Sequence, residues 1–309
     1  MEKKPTSRPG RAPSASLLYH AGALGDFITA LPAMLVWRRL HPGAHIVLLG
    51  RPDHAVLAGD PAPFDEVWDA GSALFAPLFS AGGAQSGLLR ERFSAFTSAL
   101  LFSGASSPLA GNIAAAGTSG ITRQDPFPRE RIPIVDYHLS LFPREALVPE
   151  DRFPRLRTSD TPLSAPPSAV FLHPGSGGSG KNWPLERFGE LARRLQGRGL
   201  TVVWIAGPAE EGVALPDGAE CWRSAPLSAL AASLGRAWLY VGNDSGITHL
   251  AAASGCPTIA LFGASDAAVW TPRGPRVVVI ERPAGGMNAI TVDDVFGECR
   301  KLPGGEKLR

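Results

Sequence analysis

Only three cysteines occur among the 309 residues, at 221, 256 and 299. An odd number without short metal-ligand spacing excludes a disulfide scaffold and a clustered cysteine metal site. No stretch approaches the roughly 18 continuous apolar residues of a membrane-spanning helix. A charge excess of either sign is also missing, since 30 Lys plus Arg against 28 Asp plus Glu leave +2. Composition therefore gives no argument for a polyanion-binding surface, and no nucleic-acid partner is expected. The basic opening MEKKPTSRPGRAPSAS has no long apolar run after it, so a secretory signal is not expected. Lys3, Lys4, Arg8 and Arg11 face only Glu2 there, which gives weak attraction to anionic lipid. What is present is core material: 44% hydrophobic and 19% charged residues, too apolar for disorder. At about 150 residues per domain the length suggests two domains or one large one. The expectation is a cytoplasmic protein with, at most, a weak peripheral contact at the inner face of the cytoplasmic membrane.

Residues 1–15 are rich in Pro, Ser, Arg and Gly and read as a mobile tail. Leu17-Leu18-Tyr19 is a short apolar run that stops at the turn HAGALGD, and Phe27, Leu31, Met34, Leu35 and Leu40 then recur at helical spacing. Asp26 suits the cap or first turn of that helix, and Pro32 is expected to bend it. Ile46–Leu49 is the next buried strand, so the chain opens β-turn-α-β. A short helix within 53–67 and a strand at 66–68 follow. The stretch 71–125 carries a helix near 86–97 and a strand near 99–102, and 134–147 reads as a helix. Prolines crowd 149–168, the best domain boundary. Beyond it, strands at 170–173, 201–206, 238–241, 257–262 and 276–280 alternate with helices at 184–195, 226–235, 247–253 and 291–302. That alternation predicts parallel sheets covered on both faces, with ligands outside the carboxyl ends of the strands.

Four polar turns stand at such strand ends. The glycines of GALGD, Gly22 and Gly25, let backbone approach a ligand, and Asp26 is either a plain helix cap or a general base. In HPGSGGSGKNWP, 173–184, the glycines suit an anion nest and Lys181 is a mobile point charge suited to phosphate. The spacing is not that of a P-loop. His173 and Ser176 are supporting candidates in the same turn, although His173 also reads as a structural histidine. WIAGPAEE, 204–211, puts Glu210 just past a sheet edge, where a carboxylate can take ribose hydroxyls or simply open a helix. The sharpest element is VGNDSGITHLAAASGCPTIALFGASD, 241–266. There the amides of Ser245, Gly246 and Ile247 at a helix start would grip a pyrophosphate, with Asp244 and His249 in reach.

The motifs GALGDFITALP (22–32), HPGSG with KNWP (173–184), AGPAEE (206–211) and VGNDSGITHLAAASGCPTIALFG (241–263) together resemble glycosyltransferase family 9, the ADP-heptose:lipopolysaccharide heptosyltransferases. The resemblance implies an α/β GT-B fold, two Rossmann-like domains with parallel sheets facing across a cleft. Residues 16–160 would form an N-terminal acceptor-binding domain and 161–290 a C-terminal nucleotide-sugar-binding domain. The helix within 291–309 would return to the N-terminal domain. By the same resemblance Asp26 matches the catalytic aspartate, Lys181 the lysine on the donor phosphate and Glu210 the carboxylate that holds the ribose. Asp244 matches the conserved aspartate of the donor site, and Ser245, Gly246 and His249 its phosphate-facing turn.

The implied reaction is inverting transfer of a heptose or related sugar from an ADP-sugar to a lipopolysaccharide-core or other glycan hydroxyl. Asp26 would take the acceptor proton, and Lys181 with the 245–247 amides would stabilise the departing diphosphate. The donor is a nucleotide-diphosphate sugar and the acceptor a glycan or lipid-linked glycan. No cofactor is required by this reading, although Mg2+ between Asp244 and the diphosphate is compatible with it. The sequence departs from the family at 71–130, which is rich in Ala, Gly and Ser and poor in the basic residues that a phosphorylated acceptor asks for. His20 stands where the family often has a basic residue before the glycine turn. Three alternatives stay open: a non-catalytic relative that binds a nucleotide sugar or a protein, a nucleotide-sugar epimerase, and a nicotinamide oxidoreductase, whose glycine spacing is absent.

Overall fold

The computed structural model describes residues 14–302 except 84–85, 160–161, 165, 167–168, 208–214 and 216–218, together with residue 305. Lys3, Lys4, Arg8, Arg11 and Glu210 therefore lie outside the described residues. Two all-parallel sheets organise the rest.

The first sheet is built from β1 (Ala15–His20), β2 (His45–Gly50), β3 (Glu66–Asp69), β4 (Phe96–Phe102) and β5 (Ile121–Gln124), in the order β3-β2-β1-β4-β5. Between its strands along the chain come the helices α1 (Leu24–Leu40), α2 (Pro52–Ala55), α3 (Gly87–Phe93) and α4 (Leu109–Ala115). Alternate residues of the central strands, Leu17, Val47, Leu49, Ala99 and Leu101, pack with Leu78, Leu89 and Phe93 in one core. A buried polar pin crosses the sheet. The Trp37 indole donates to Ser16 Oγ at 2.9 Å, and Ser98 Oγ donates to the same hydroxyl at 2.8 Å.

The second sheet contains β6 (Val170–His173), β7 (Val202–Ala206), β8 (Glu220–Arg223), β9 (Leu239–Asn243), β10 (Thr258–Phe262) and β11 (Val277–Glu281), in the order β11-β10-β9-β6-β7-β8. This is the doubly wound order in which the strand sequence reverses between two central neighbours. Its helices are α5 (Ile134–Leu139), α6 (Leu185–Gln196), α7 (Leu227–Leu234), α8 (Gly246–Ala253), α9 (Ala267–Trp270) and α10 (Val292–Cys299). Because side chains alternate across a strand, the apolar runs feed two cores. Val170, Leu172, Trp204, Val241 and Leu261 meet α6 and α10 on one face. Phe171, Val203, Ile205 and Tyr240 meet α7, α8 and Ile28 of α1 on the other.

Contacts group the chain into two compact units. One holds the chain up to Ala21 with Trp37–Pro52 and Pro63–Pro126, and the other holds Gly22–Val36, Asp53–Ala62 and the chain from Phe127 onward. Asp26 thus belongs with the second unit. Two arginine pairs secure the 127–157 stretch within that unit. Arg131 grips Asp266 with Nε and Nη2, at 2.6 and 2.9 Å, and Arg273 Nη2 reaches Asp136 at 2.7 Å.

Several expectations are corrected. The helix expected at 86–97 stops at Phe93, because Phe96 already begins β4. The helix expected at 134–147 ends at Leu139, and after Pro143 only a 3-10 turn at Arg144–Ala146 remains. The buried residues of the last helix, Val292, Val295 and Cys299, lie in the core of the second sheet beside α6. The strands β5 and β8 and the helices α4 and α9 carry no strong apolar period and were not foreseen. Among the described residues no helix is long and apolar enough to cross a membrane.

Phe188 is fully buried between the Trp183 and Trp204 rings, at centroid distances of 4.8 and 6.4 Å. Phe188→Ala should lower the unfolding free energy by about 3–5 kcal/mol in a denaturant titration.

Candidate functional site

In the second sheet the order reverses between β6 and β9, which pair in parallel from Val170↔Leu239 to His173↔Gly242. Loops leaving two such strands diverge and leave a crevice at their carboxyl ends. Here the loop after β6 carries Lys181, and the turn after β9 carries Asp244. The two meet, with Lys181 Nζ donating to Asp244 Oδ2 at 2.7 Å. Asp244 is 8% exposed in its side chain and Lys181 41%. A carboxylate so far out of water needs a partner, while the ammonium keeps two more N–H groups for something in solvent.

α8 starts at this point. Ser245 is its N-cap, extended in backbone, and its hydroxyl accepts the Thr248 amide at 3.4 Å. The same hydroxyl lies 3.3 Å from His173 Nδ1 and 3.1 Å from Thr248 Oγ1. Thr248 in turn donates to the Asn243 carbonyl and lies 3.0 Å from the Tyr240 hydroxyl. The Ser245 side chain is thus committed to the cap. Gly246 and Ile247 are half-buried, and their first-turn amides are those that a helix cannot satisfy internally. Gly242 is required by this network, since a methyl there would collide with the Tyr240 hydroxyl.

A second helix start lies against the first. A methyl carbon on Gly25 would stand 3.2 Å from His249 Cδ2 and 3.4 Å from Gly246 Cα. One on Gly246 would stand 2.9 Å from Leu24 Cβ and 3.0 Å from the Gly25 nitrogen. Only glycines allow this approach, which sets Asp26, in the first turn of α1, near Asp244 and Lys181. The Asp26 pKa is raised, chiefly by burial; the Ala23 amide lowers it, the Asp244 charge raises it and Lys181 lowers it. His249 is fully enclosed, and burial takes its pKa down to about 4 against a raising influence from Asp244. Its imidazole is therefore uncharged at neutral pH in this arrangement.

The other predicted residues are placed as follows. His173 closes β6, is buried, and contacts Ser245 as described. Ser176 Oγ lies 2.9 Å from the Gly178 carbonyl and 2.7 Å from Asn182 Oδ1, so it folds the Lys181 loop on itself. Gly22 is exposed, ahead of α1. Sequence reasoning missed Asn243, which is fully buried and hydrogen-bonds the loop at both ends. Its signal was present, since an amide in an otherwise apolar strand needs partners. No group of three or more His, Cys, Asp or Glu side chains is arranged for a metal among the described residues. A separate cavity of about 690 Å³, lined by Leu139, Phe142, Arg144, Val148 and Arg152 among others, contains none of the predicted site residues.

Comparison with known proteins identifies the family and the fold. Residues 139–296 match the profile of glycosyltransferase family 9 (heptosyltransferase), a span that includes Lys181, Asp244 and His249 but not Asp26. Lipopolysaccharide heptosyltransferase 3 of Escherichia coli strain K12 is 32% identical over 177 residues, covering 50% of this chain and 52% of that protein. The chain thus matches about half the length of that curated relative. Among solved structures, E. coli ADP-heptose LPS heptosyltransferase II superposes with a TM-score of 0.76 at 19% identity, over 93% of this chain and 98% of that one. An E. coli heptosyltransferase solved with ADP gives 0.68 at 19% identity, over 93% and 99%. At that identity the likeness establishes the fold, two Rossmann-like parallel-sheet lobes of the GT-B type.

Two predictions follow from the packing and charge of this site. Gly246→Ala should lower stability by about 1–3 kcal/mol through overpacking. Gly177→Ala, with nothing within 4 Å of the new methyl, should leave it unchanged or slightly higher in the same melts. A carboxylate whose folded pKa exceeds its unfolded value of about 3.9 costs stability as pH rises through that window. Asp26→Asn should therefore unfold at higher denaturant than wild type at neutral pH, and the gap should close as pH falls toward about 4.

Proposed function

Because the chain belongs to glycosyltransferase family 9, we propose that it transfers a heptose, or a related sugar, from an ADP-sugar to a glycan hydroxyl with inversion. The observation that carries this reading is the Lys181–Asp244 pair at the β6–β9 reversal, beside the start of α8 and the Asp26 carboxylate.

Each group has a chemical task. The diphosphate sits on the Gly246 and Ile247 amides, where the helix dipole favours an anion. Lys181 uses one N–H on Asp244, which leaves two for phosphate oxygens. As the sugar–phosphate bond breaks, charge grows on the β-phosphate, and this fixed cation and the amides stabilise it without reorganising. Asp26 takes the acceptor proton while the oxygen attacks the anomeric carbon from the face opposite the leaving group. Burial raises the Asp26 pKa, and a carboxylate so raised is a stronger base. His249, uncharged, offers a hydrogen bond without adding a second cation. Glu210, outside the described residues, would hold the ribose hydroxyls. No step is routed through a metal.

The acceptor is proposed to be a lipopolysaccharide-core or other lipid-linked glycan, met at the inner face of the cytoplasmic membrane. The basic residues Lys3, Lys4, Arg8 and Arg11 would supply weak attraction there.

Equilibrium binding of ADP, UDP, GDP and ADP-heptose to the purified chain tests the donor assignment. Preference for ADP and ADP-heptose is expected, weakened about tenfold or more in Lys181→Ala and in Glu210→Ala, the worth of a charge-assisted hydrogen bond. Asp26→Asn should keep that affinity and lose about 100- to 10,000-fold in kcat. A folded protein that binds none of these nucleotides would sink the catalytic reading in favour of a non-catalytic relative.

A further inference from the structure

The loop that carries Lys181 is held internally by Ser176 and a 3-10 turn at Ser179–Lys181, and its glycines have little packed against them. Between Pro174 and Trp183 lie eight residues, 175–182, of which Gly175, Gly177, Gly178 and Gly180 are glycines. Methyl groups built on Gly177, Gly178 and Gly180 would meet nothing within 4 Å, so packing does not restrain that stretch. A free glycine chain of this length samples many conformations, yet Lys181 Nζ stands 2.7 Å from Asp244. Something must fix the ends.

Asn243 meets that requirement. It is the last residue of β9, with no exposed surface. Its Oδ1 accepts the Trp183 amide at 3.0 Å, and its Nδ2 donates to the Pro174 carbonyl at 2.7 Å. One planar amide therefore closes both ends of the loop, and it is the residue immediately before Asp244. A carboxylate could not donate to Pro174, and a hydroxyl could not span both ends. The Trp183 indole is anchored separately, donating to the Ile290 carbonyl at 2.9 Å. The Asn243 bond thus governs the direction of the chain out of the loop, and not the burial of the ring.

We infer that Asn243 is a positioning residue of the donor site: it clamps the 175–182 loop at both ends and so sets the Lys181 ammonium against Asp244 and the donor diphosphate. The consequence for ligand binding rests on the function proposed above, whereas the clamp itself does not.

The test has two arms, both on the full chain. The first measures ADP affinity in wild type, Asn243→Ala, Lys181→Ala and the double variant, with melting curves to show that each is folded. The expected result is a loss of about tenfold in Asn243→Ala, comparable to one hydrogen bond, and no further loss when it is added to Lys181→Ala. A merely structural asparagine would weaken both backgrounds by the same factor, and that additive outcome overturns the inference. The second arm is amide hydrogen exchange on nucleotide-free wild type. Trp183 should be protected while Gly177 exchanges freely, and an unprotected Trp183 amide overturns the clamp even if Asn243→Ala proves too unstable to study. Should wild type bind no ADP, the donor reading fails, and the exchange arm still decides for or against the clamp.

Discussion

Much of this site depends on one close contact between backbones, where the first turn of α1 meets the first turn of α8 at Gly25 and Gly246. Each helix start presents unsatisfied amides and a partial positive charge. Bringing two of them together concentrates a field that favours anions. The chain places a carboxylate at each, Asp26 and Asp244, and then a single ammonium, Lys181, against the second. Burial raises the proton affinity of Asp26, and the nearby Asp244 charge adds to it. A pair of methyl groups at those glycines would remove the arrangement without touching any charged atom.

The sheet supplies the precision that this contact needs. β9 is flanked by β6 and β10, and the Asp244 amide donates to the Leu261 carbonyl at 3.1 Å. The turn after β9 is thereby tied to the next strand. On the buried face, Ala251 and Ala252 of α8 are fully enclosed, and their small size lets the helix lie close to the strands. Polar groups that would be costly in such a core are paired along one line. Tyr240 reaches Thr248, Thr248 reaches the Asn243 carbonyl, and Ser245 reaches both Thr248 and His173. Satisfied networks of this kind hold a single geometry, where a looser core would allow several.

The sequence made some of this plain and hid the rest for physical reasons. Buried central strands read directly, because Val170–His173, Val202–Ala206 and Thr258–Phe262 are apolar on both faces. The edge strands β5, ITRQ, and β8, ECWR, are four residues long and half in solvent, so no apolar run marks them. α3 and β4 are separated by only two residues, Ser94 and Ala95, with no Gly or Pro between them, so the expected helix ran into the strand. For the site, polar turns after apolar strands pointed to Lys181, Asp244 and the start of α8, which the structure brings together. The neutral state of His249 depends on enclosure by distant residues, and no local pattern carries it. Asn243 was read as part of a polar turn because its two partners, Pro174 and Trp183, are far away in sequence.

A flexible loop and a rigid clamp are not in conflict. Under the proposed function, a lysine that approaches a diphosphate needs backbone close by, which glycines permit, and it needs to arrive without an ordering cost at each encounter, which the anchored ends reduce. Glycine alone would give reach with no placement. A bulky, packed loop would give placement and block the anion. Four glycines held between Pro174 and Trp183 by one buried amide satisfy both demands. The same division runs through the unit: β6, β9 and β10 with their two cores are rigid. The groups meant for a ligand, Lys181, the Gly246 and Ile247 amides and Asp26, stand at or beyond the strand ends, half in water. Lys181 is paired with Asp244 before any ligand arrives. A diphosphate entering that field would meet one ammonium already oriented by Asp244, and would not have to draw a mobile side chain out of solvent.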